Sequence, residues 1–313
     1  MKRLICFLLC LSLLPCLPLT ARAETSGSGD KNRICFTDHL GQSFEIDPPE
    51  RVVAMTGSFA QIWCLAGGKD SLVAAAADSW SSFELELSPA VVNIGVVKEP
   101  SLELILASAP DLILASCNTE ANMEMKPILD ASGIPAAYFD IQHIDDYLDM
   151  LESCTRLTGC EENYREYGEK VKEQSLAAIS RADGSRPSVL CMRATGSSCK
   201  VKGSRDFLLG EMLADLGCMN IADSENSLLE ELSFEVIMKA DPDYIFVVIQ
   251  GSDPSRAEET LKKTLLENPA WQELSAVREG RFHTLEHQLY NLKPNDRWGE
   301  SYEKLADILY PEK

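Results

Sequence analysis

The chain has 313 residues, of which 45% are hydrophobic, and carries a formal net charge of −20 at pH 7. This length is too great for one small core and fits two α/β lobes of ordinary size. The negative charge argues against nucleic acid and anionic membranes as partners, and it suits a basic docking surface on another protein.

The first residues have the pattern of an export signal. Lys2 and Arg3 precede an apolar stretch over residues 4–19, and small residues lead to a predicted cleavage site after Ala23. The stretch contains two prolines and is shorter than the roughly 20 apolar residues of a membrane span. Cleavage would leave 26 basic and 49 acidic side chains, a net charge of −23.

Anchoring is a separate question, because Cys16 could carry a lipid, although a proline directly before it does not suit a lipidation signal. The sequence leaves lipidation open. In both cases we expect an exported protein, in the periplasm or on the outer face of the cytoplasmic membrane.

Eight cysteines remain after the predicted cleavage. Cys191 and Cys199 flank a short turn-rich stretch and could form a disulfide in an oxidising compartment, while free buried cysteines are equally compatible with the sequence. No Cys-x-x-Cys pattern occurs, so a zinc or iron–sulfur site has no support.

The first half of the chain alternates between predicted strands and helices after a β-hairpin around Gly41. The strands are expected at 51–55, 72–77, 111–115 and 136–139, and the helices at 61–66, 101–108 and 123–132. Strands separated by single helices imply parallel pairing with right-handed crossovers.

No strand is predicted between Ile144 and Ile179, and the spacing predicts a connecting helix over Glu161–Arg181, about 30 Å long. The alternation then resumes. Strands are expected at 188–192, 244–249 and 282–285, and helices at 207–216, 234–240 and 257–267. The predicted fold is therefore α/β, with two Rossmann-like lobes of mostly parallel sheets joined by one long helix and a ligand cleft between them. The predicted parts are a signal at 1–23, a first lobe at 24–142, a connector at 143–185 and a second lobe at 186–313.

An internal repeat lies on the two sides of the connector. Residues 101–114 align without gaps with residues 233–246, and six of the fourteen positions are identical. In each copy a serine is a plausible N-cap, an acidic residue stands in the first helical turn, and Pro-Asp leads into a buried strand. The repeat indicates two lobes of like design.

With these features the sequence resembles the periplasmic binding proteins for iron complexes and vitamin B12. The matching segments, in order, are Thr37-Asp38-x-x-Gly41, Pro49–Ala54, Ser101–Ile113, Gly210–Ile221, Asp241–Ile245, Pro269–Trp271, Ala276–Arg281 and Arg297–Pro311. The resemblance implies two lobes joined by a rigid helix, with ligand held at the facing carboxyl ends of the strands. It also implies an ABC permease with its ATPase as partners, and no intrinsic cofactor. Glu103 and Glu235 match the family's docking glutamates, one on each lobe, which engage arginines of the permease.

Several side chains are expected to line the cleft because each follows a predicted strand or an adjoining turn. These are Ser58, Phe59 and Trp80 from the first lobe, and Arg193, Lys202, Tyr290, Lys293 and Arg297 from the second. Aromatic residues on one lobe would face cations on the other, which suits an anionic metal chelate. A ferric siderophore is expected first, with a corrinoid or haem as alternatives, and Tyr290 or His287 could be an axial ligand of haem.

Four scattered histidines disfavour a site for bare zinc or manganese. Other classes of protein fit less well. An exported hydrolase would be expected to carry a motif such as Gly-x-Ser-x-Gly or His-Glu-x-x-His, and neither occurs. A structural surface protein would favour β-sandwich patterning or tandem repeats. We therefore expect a monomeric, non-enzymatic binding protein.

Overall fold

The computed structural model describes residues 33–205, 207–251 and 253–311. The predicted export signal and Cys16 lie outside the described residues. Among the described residues, none of the helices combines the length and the apolar character needed to cross a bilayer.

The described strands form one two-stranded and two five-stranded sheets. In chain order they are β1 (Ile34–Thr37), β2 (Ser43–Ile46), β3 (Val52–Ala54), β4 (Leu72–Ala75), β5 (Val92–Asn93), β6 (Leu112–Ser116), β7 (Ala136–Phe139), β8 (Ser188–Ala194), β9 (Cys199–Lys202), β10 (Met219–Asn220), β11 (Tyr244–Ile249) and β12 (Phe282–Leu285).

The described helices lie between these strands and after the last one. They are α1 (Gly57–Leu65), α2 (Asp78–Ser81), α3 (Leu102–Ala107), α4 (Glu120–Ser132), α5 (Ile144–Thr158), α6 (Glu162–Tyr164), α7 (Lys170–Ile179), α8 (Leu208–Asp215), α9 (Ser227–Glu230), α10 (Phe234–Ala240), α11 (Pro254–Leu261), α12 (Pro269–Gln272), α13 (Ser275–Arg278), α14 (His287–Tyr290) and α15 (Trp298–Leu309). π-Helical turns follow at Arg165–Glu169 and Lys262–Leu266.

The first lobe contains an all-parallel sheet with the strand order β5-β4-β3-β6-β7. Its central strands are buried on both faces, so successive side chains enter different apolar clusters. In β6, Leu112 and Leu114 pack on one side and Ile113 and Ala115 on the other. Continuous apolar runs of this kind are typical of parallel sheets covered by helices on both faces.

The second lobe has the parallel order β10-β8-β11-β12, and β9 pairs with β8 in the antiparallel direction. β9 was not predicted, because its four residues carry two lysines and resemble a solvated loop. The segment nevertheless alternates: Cys199 and Val201 are buried, whereas Lys200 is exposed and Lys202 half-buried. This period of two is what a strand at the edge of a sheet needs. The predicted α/β class with two mostly parallel sheets is confirmed.

The connector contains two helical segments. The first, α5, ends at Gly159, which has φ +72°. The second runs through α6, the π-helical turn and α7, from residue 162 to 179, so the expected uninterrupted α-helix contains a π turn. Gly168 lies in this turn, where a Cβ atom would approach the Tyr164 ring to 3.0 Å. α15 packs along α7, and Arg181 pairs with Asp307 at 2.6 Å. The exact limits of the lobes stay a prediction.

The two copies of the internal repeat have the same capping geometry. Ser101 Oγ accepts a hydrogen bond from Leu104 N at 3.3 Å, and Ser233 Oγ accepts one from Val236 N at 3.4 Å. The positions that follow the helices also agree, since Ala109 and Asp241 have φ values of +45° and +39°. Left-handed backbone is uncommon outside glycine, so its recurrence at equivalent positions supports a common design.

The repeat also anchors the first strand of the five-stranded sheet in each lobe. The Asp111 carboxylate accepts hydrogen bonds from the backbone N–H groups of Glu50 and Arg51, both at 2.9 Å. The equivalent Asp243 accepts one from Ser188 N at 2.8 Å. The Pro-Asp sequence therefore joins the end of a helix to the start of a neighbouring strand in each lobe.

Because these bonds satisfy strand-end donors, Asp111→Ala and Asp243→Ala should each lower the free energy of unfolding by about 1 kcal/mol. Urea denaturation followed by circular dichroism measures the loss. Asp149→Ala, which removes an exposed aspartate of α5, is the control and should change stability by less than about 0.5 kcal/mol. Equal losses in all three variants would contradict an anchoring role.

The disulfide between Cys191 and Cys199 does not form. All eight described cysteines are free thiols. Cys191 faces the apolar cluster shared with α8 and α15, whereas Cys199 faces the cluster on the other side of the sheet. In the β8–β9 pairing Cys199 lies opposite Ala194, three residues along the strand from Cys191. The two side chains therefore point away from each other, which a disulfide cannot bridge.

Candidate functional site

A cavity of about 450 Å³ lies between the two lobes and is lined by side chains from both. On the first lobe, Thr56 and Ser116 mark the ends of β3 and β6. On the second lobe, Gln250 follows β11, and residues 291–293 follow β12 and α14. The cavity therefore lies at the carboxyl ends of two facing parallel sheets, where open α/β folds bind ligands.

Neutral hydrogen-bonding groups dominate the polar lining. They are the hydroxyls of Thr56, Ser58, Ser116 and Thr119 and the amides of Asn118, Gln142, Gln250 and Asn291. Two of the amides are held by one carboxylate, because Asp140 accepts hydrogen bonds from Asn118 Nδ2 and from Gln142 Nε2. Orientation by a shared acceptor presents the amide oxygens in a defined direction, as recognition of a polar ligand requires.

Two charged residues line the cavity, one on each lobe. Asp78 Oδ1 accepts a hydrogen bond from Gly57 N at 2.9 Å, and burial raises the pKa of its carboxyl. On the opposite lobe, burial lowers the pKa of Lys293, an effect that the nearby carboxylates Asp140 and Glu211 oppose. A desolvated ammonium group facing a cavity attracts an anion more strongly than a solvated one.

Apolar walls complete the cavity, with Phe59 and Phe83 as the aromatic residues. The Phe59 ring packs edge-on against Phe139, with their centroids 6.3 Å apart. Gly57 lies in close contact with Phe83 and α2, since a Cβ atom there would stand 2.6 Å from Phe83 Cδ2. Close packing at Gly57 thus fixes the position of the first-lobe wall.

Of the eight residues expected to bind ligand, the structure places Ser58, Phe59 and Lys293 in the lining of this cavity. Two aromatic residues lie elsewhere. Trp80 is half-buried in α2 and packs against the large apolar cluster that contains residues of both lobes. Tyr290 is 1% exposed, and its hydroxyl donates a hydrogen bond to Ser301 O at 2.9 Å. Both side chains are used in packing.

Arg297 belongs to an ion-pair network on the surface of the second lobe. Its Nε lies 2.7 Å from Glu300 Oε2 and its Nη2 lies 3.2 Å from Glu286 Oε1. Lys304 contacts both carboxylates at 2.9 Å. Hydrogen bonding to Arg297 lowers the pKa of Glu300 to about 2. The guanidinium group is therefore occupied by acidic residues close to it in sequence.

Arg193 and Lys202 lie outside the central cavity, on the β8–β9 hairpin. Lys200 pairs with Arg193 in the antiparallel register, and Lys202 pairs with Cys191, so the three cations share one face of the sheet. Burial lowers the pKa of Arg193, and burial together with the neighbouring Arg193 and Lys200 lowers that of Lys202. Lys202 and Arg205 line a separate surface depression with Asp223.

Glu103 and Glu235 are both exposed in the first turns of α3 and α10. They occupy equivalent positions of the internal repeat, with one residue on each lobe.

No group of three or more histidine, cysteine, aspartate or glutamate side chains in the described chain could hold a metal ion. Neither of the two residues considered as axial ligands of haem lines the cavity. His287 Nδ1 lies 2.7 Å from Ile249 O, and the Tyr290 hydroxyl bonds to a backbone carbonyl.

The sequence reasoning missed most of the polar lining, including Asp78, Asn118, Gln142 and Gln250. A signal was available, because each of these residues lies within three positions of the carboxyl end of a buried strand. Position after a strand end also identified Ser58 and Phe59, four and five residues after β3, and it applies equally to β4, β6, β7 and β11. The predicted site contained aromatic and cationic side chains and no neutral amides.

Comparisons with known proteins agree with this architecture. The family model described as periplasmic binding protein matches residues 52–289. The Fe(3+)-citrate-binding protein YfmC of Bacillus subtilis (strain 168) is 25% identical over 286 residues, which cover 87% of this chain and 86% of that protein.

Two solved structures show the same fold. The iron uptake ABC transporter substrate-binding protein PiuA of Streptococcus pneumoniae Canada MDR_19A has a TM-score of 0.68 and 21% identity, covering 90% of this chain and 99% of that one. The periplasmic heme-binding protein RhuT of Roseiflexus sp. RS-1, in apo form, has a TM-score of 0.66 and 23% identity. The match covers 83% of this chain and 98% of that one.

Proposed function

Because the chain belongs to the periplasmic binding protein family, we propose that it is the solute-binding protein of an ABC importer and captures an iron chelate between its lobes. The observation that carries the proposal is the 450 Å³ cavity at the facing ends of two parallel sheets, with hydroxyls, amides and a desolvated lysine in its lining. This lining can bind a polar, anionic ligand without reacting with it, which suits transport rather than catalysis.

The chelator, in this proposal, supplies the metal ligands. Iron held directly by protein needs a cluster of histidine, tyrosine or carboxylate groups, whereas this cavity is lined by neutral hydrogen-bond donors and acceptors with one aspartate. Such groups recognise the periphery of a chelate whose own oxygens or nitrogens surround the metal. A ferric siderophore or a related ferric chelate is therefore the favoured ligand.

Haem is a weaker candidate, because neither His287 nor Tyr290 lines the cavity and the buried Tyr290 hydroxyl donates to Ser301 O. A corrinoid needs no axial ligand from the protein, so it remains the second candidate. Phe59 and Phe83 could pack against its apolar parts.

Delivery to the membrane forms the second half of the proposal. Glu103 and Glu235 are exposed on different lobes at equivalent positions, so two basic groups of a permease could engage them together. The protein would act as an exported monomer with an ABC permease and its ATPase as partners. Its three parts would be a first lobe up to residue 142, a connector to 185 and a second lobe beyond.

Calorimetric titration tests the ligand. We expect ferric citrate, a ferric hydroxamate or a ferric catecholate to bind with a Kd in the micromolar range or tighter, about −8 kcal/mol or more favourable. Cobalamin should bind more weakly and haem should not saturate the protein. The iron-free chelators are the matched controls. Binding of free ferric or zinc ions alone, or of an uncharged sugar alone, would overturn the proposal.

A further inference from the structure

The segment that follows β12 joins the two lobes at a place separate from the connector. We call residues 286–297 the clasp. Near its start, Gln288 Nε2 donates a hydrogen bond to Ser82 O of the first lobe at 3.1 Å, and Arg297 Nη1 lies 3.4 Å from Gln288 Oε1. Near its end, Asn295 makes the buried contacts with α1 of the first lobe. Between these two tethers lies Lys293, which lines the ligand cavity.

Asn295 is fully buried and uses both ends of its amide. Its Oδ1 accepts a hydrogen bond from Ser58 Oγ at 3.2 Å. Its Nδ2 donates to Ser58 O at 3.1 Å and to Gln61 Oε1 at 2.7 Å. The partners lie 234–237 residues away in sequence, on the first two turns of α1. A buried amide with all these partners specifies one relative position of the two segments, because any other position would leave polar groups unpaired.

The backbone of Asn295 supports the same interpretation. Its φ is +51°, in the left-handed region that asparagine tolerates better than most residues. This left-handed residue lies between the cavity-lining Leu292 and Lys293 and the start of α15, the helix that carries the surface ion pairs. It turns the amide inward toward α1. Most other residues would adopt this backbone conformation only at a higher cost in free energy. They also could not make the same hydrogen bonds.

We propose that Asn295 is a positioning residue that sets the spacing of the two cavity walls. It holds Ser58, on the wall of the first lobe, at a fixed distance from Lys293, two residues before it on the wall of the second. The inference deepens the proposed function, but it concerns the protein without ligand and can be tested without one. With the connector, the clasp gives the lobes a second point of attachment, so the cavity exists before ligand arrives.

Two variants of Asn295 and one of its partner Gln61 separate the parts of this role. Asn295→Gly keeps the left-handed backbone and removes every side-chain bond. Asn295→Asp keeps the shape and the acceptor for Ser58 Oγ, but places an oxygen against Ser58 O. Gln61→Ala removes one partner from the side of α1, at a residue that does not line the central cavity. Asn268→Gly is the control, since Asn268 caps α12 of the second lobe through Ala270 N and lies away from α1.

The first measurement is the NMR titration of [ε-13C]lysine protein, with Lys293→Met to assign the resonance. In the natural protein Lys293 should titrate below the range of an ordinary lysine. In Asn295→Gly its pKa should shift upward toward the ordinary range, because a loosened clasp admits water to the ammonium group. Gln61→Ala should shift it less, and Asn295→Gly combined with Gln61→Ala no more than Asn295→Gly alone. Asn268→Gly should leave it unmoved, although it lowers stability.

The second measurement is hydrogen exchange of the backbone amides. Exchange in α1 and the clasp should quicken at least tenfold in Asn295→Gly, and by less in Asn295→Asp, with β8 and β11 unchanged. If Asn295→Gly does not fold, Asn295→Asp and Gln61→Ala carry the test. An unmoved Lys293 titration together with unchanged exchange in α1 would overturn the positioning role. Failure of every chelate to bind, with both effects present, would instead count against the proposed function alone.

Discussion

Reversal of both exposed glutamates, Glu103→Lys with Glu235→Lys, should abolish uptake of the ligand while its affinity for the isolated protein stays the same. Each residue lies in the first turn of a short helix, one helix on each lobe, and neither lines the cavity. A permease that docks through two basic groups would meet two lysines instead. Like charges placed together at an interface cost several kcal/mol each, which is enough to prevent a transient complex.

Uptake of radiolabelled iron by cells or by permease in liposomes measures this effect, and calorimetry measures the affinity. Each single reversal should leave partial uptake, because the other lobe can still dock. Glu124→Lys with Glu258→Lys is the matched control: both residues are exposed, one on each lobe, and the change in net charge is identical. Uptake that survived the reversal of Glu103 and Glu235, or that fell equally in the control, would remove the docking assignment.

Lys293→Met should weaken binding of an anionic ferric chelate by about 10- to 100-fold, or about 1.5–3 kcal/mol, the range of a charge-assisted hydrogen bond. Lys293 is the cation that lines the 450 Å³ cavity, and methionine keeps much of its length without its charge. Stability should not fall, because the change removes a desolvated ammonium group from the protein.

Arg297→Met provides the contrast. The sequence predicts that Arg297 can reach the cleft, but the guanidinium group is bound by Glu286 and Glu300. Its loss should lower the free energy of unfolding by about 1 kcal/mol or less, since the network is partly exposed, and should change affinity by less than about threefold. Thermal unfolding and calorimetry on the two variants decide between the residues. A larger loss of affinity for Arg297→Met than for Lys293→Met would contradict the assignment.

The pH dependence provides a further check on Lys293. Burial lowers its pKa, so its ammonium group is present at neutral pH and is lost as the pH rises through this lowered value. Affinity for an anionic chelate should fall over that range, below the pH at which an ordinary lysine titrates, and Lys293→Met should abolish the fall. The free energy of unfolding should rise over the same pH range, because the unfolded chain still binds the proton that the folded chain has lost.

Local patterns in the sequence determined the kind of fold. Most strands of the two sheets are short apolar runs followed or preceded by a helix, and such patterns depend on residues close together in the sequence. The repeat is the clearest case. Both copies contain a serine cap, an acidic first turn and Pro-Asp. The structure shows the same cap bonds in each copy and a left-handed residue at the equivalent position.

Some details of these elements could not be predicted from local patterns. β9 was assigned to a basic loop because charge outweighed its alternation, and pairing with β8 supplies the stability that its sequence does not indicate. The π turn in the connector contains Gly168, where a Cβ atom would approach the Tyr164 ring to 3.0 Å, and helical spacing does not indicate such a turn.

What the sequence determined about this protein by itself is therefore its class, its two similar lobes and the regions that border the cleft, because these follow from periodicity and from the rule of strand ends. Only the tertiary structure decided which side chains line the cavity between the lobes. Arg297 is held by Glu286 and Glu300, Tyr290 is buried beneath Ser301, and Asn295 bonds to α1 from more than 230 residues away. The physical reason is that a polar or aromatic side chain pairs with whatever group lies nearest in space, and sequence spacing does not measure that distance.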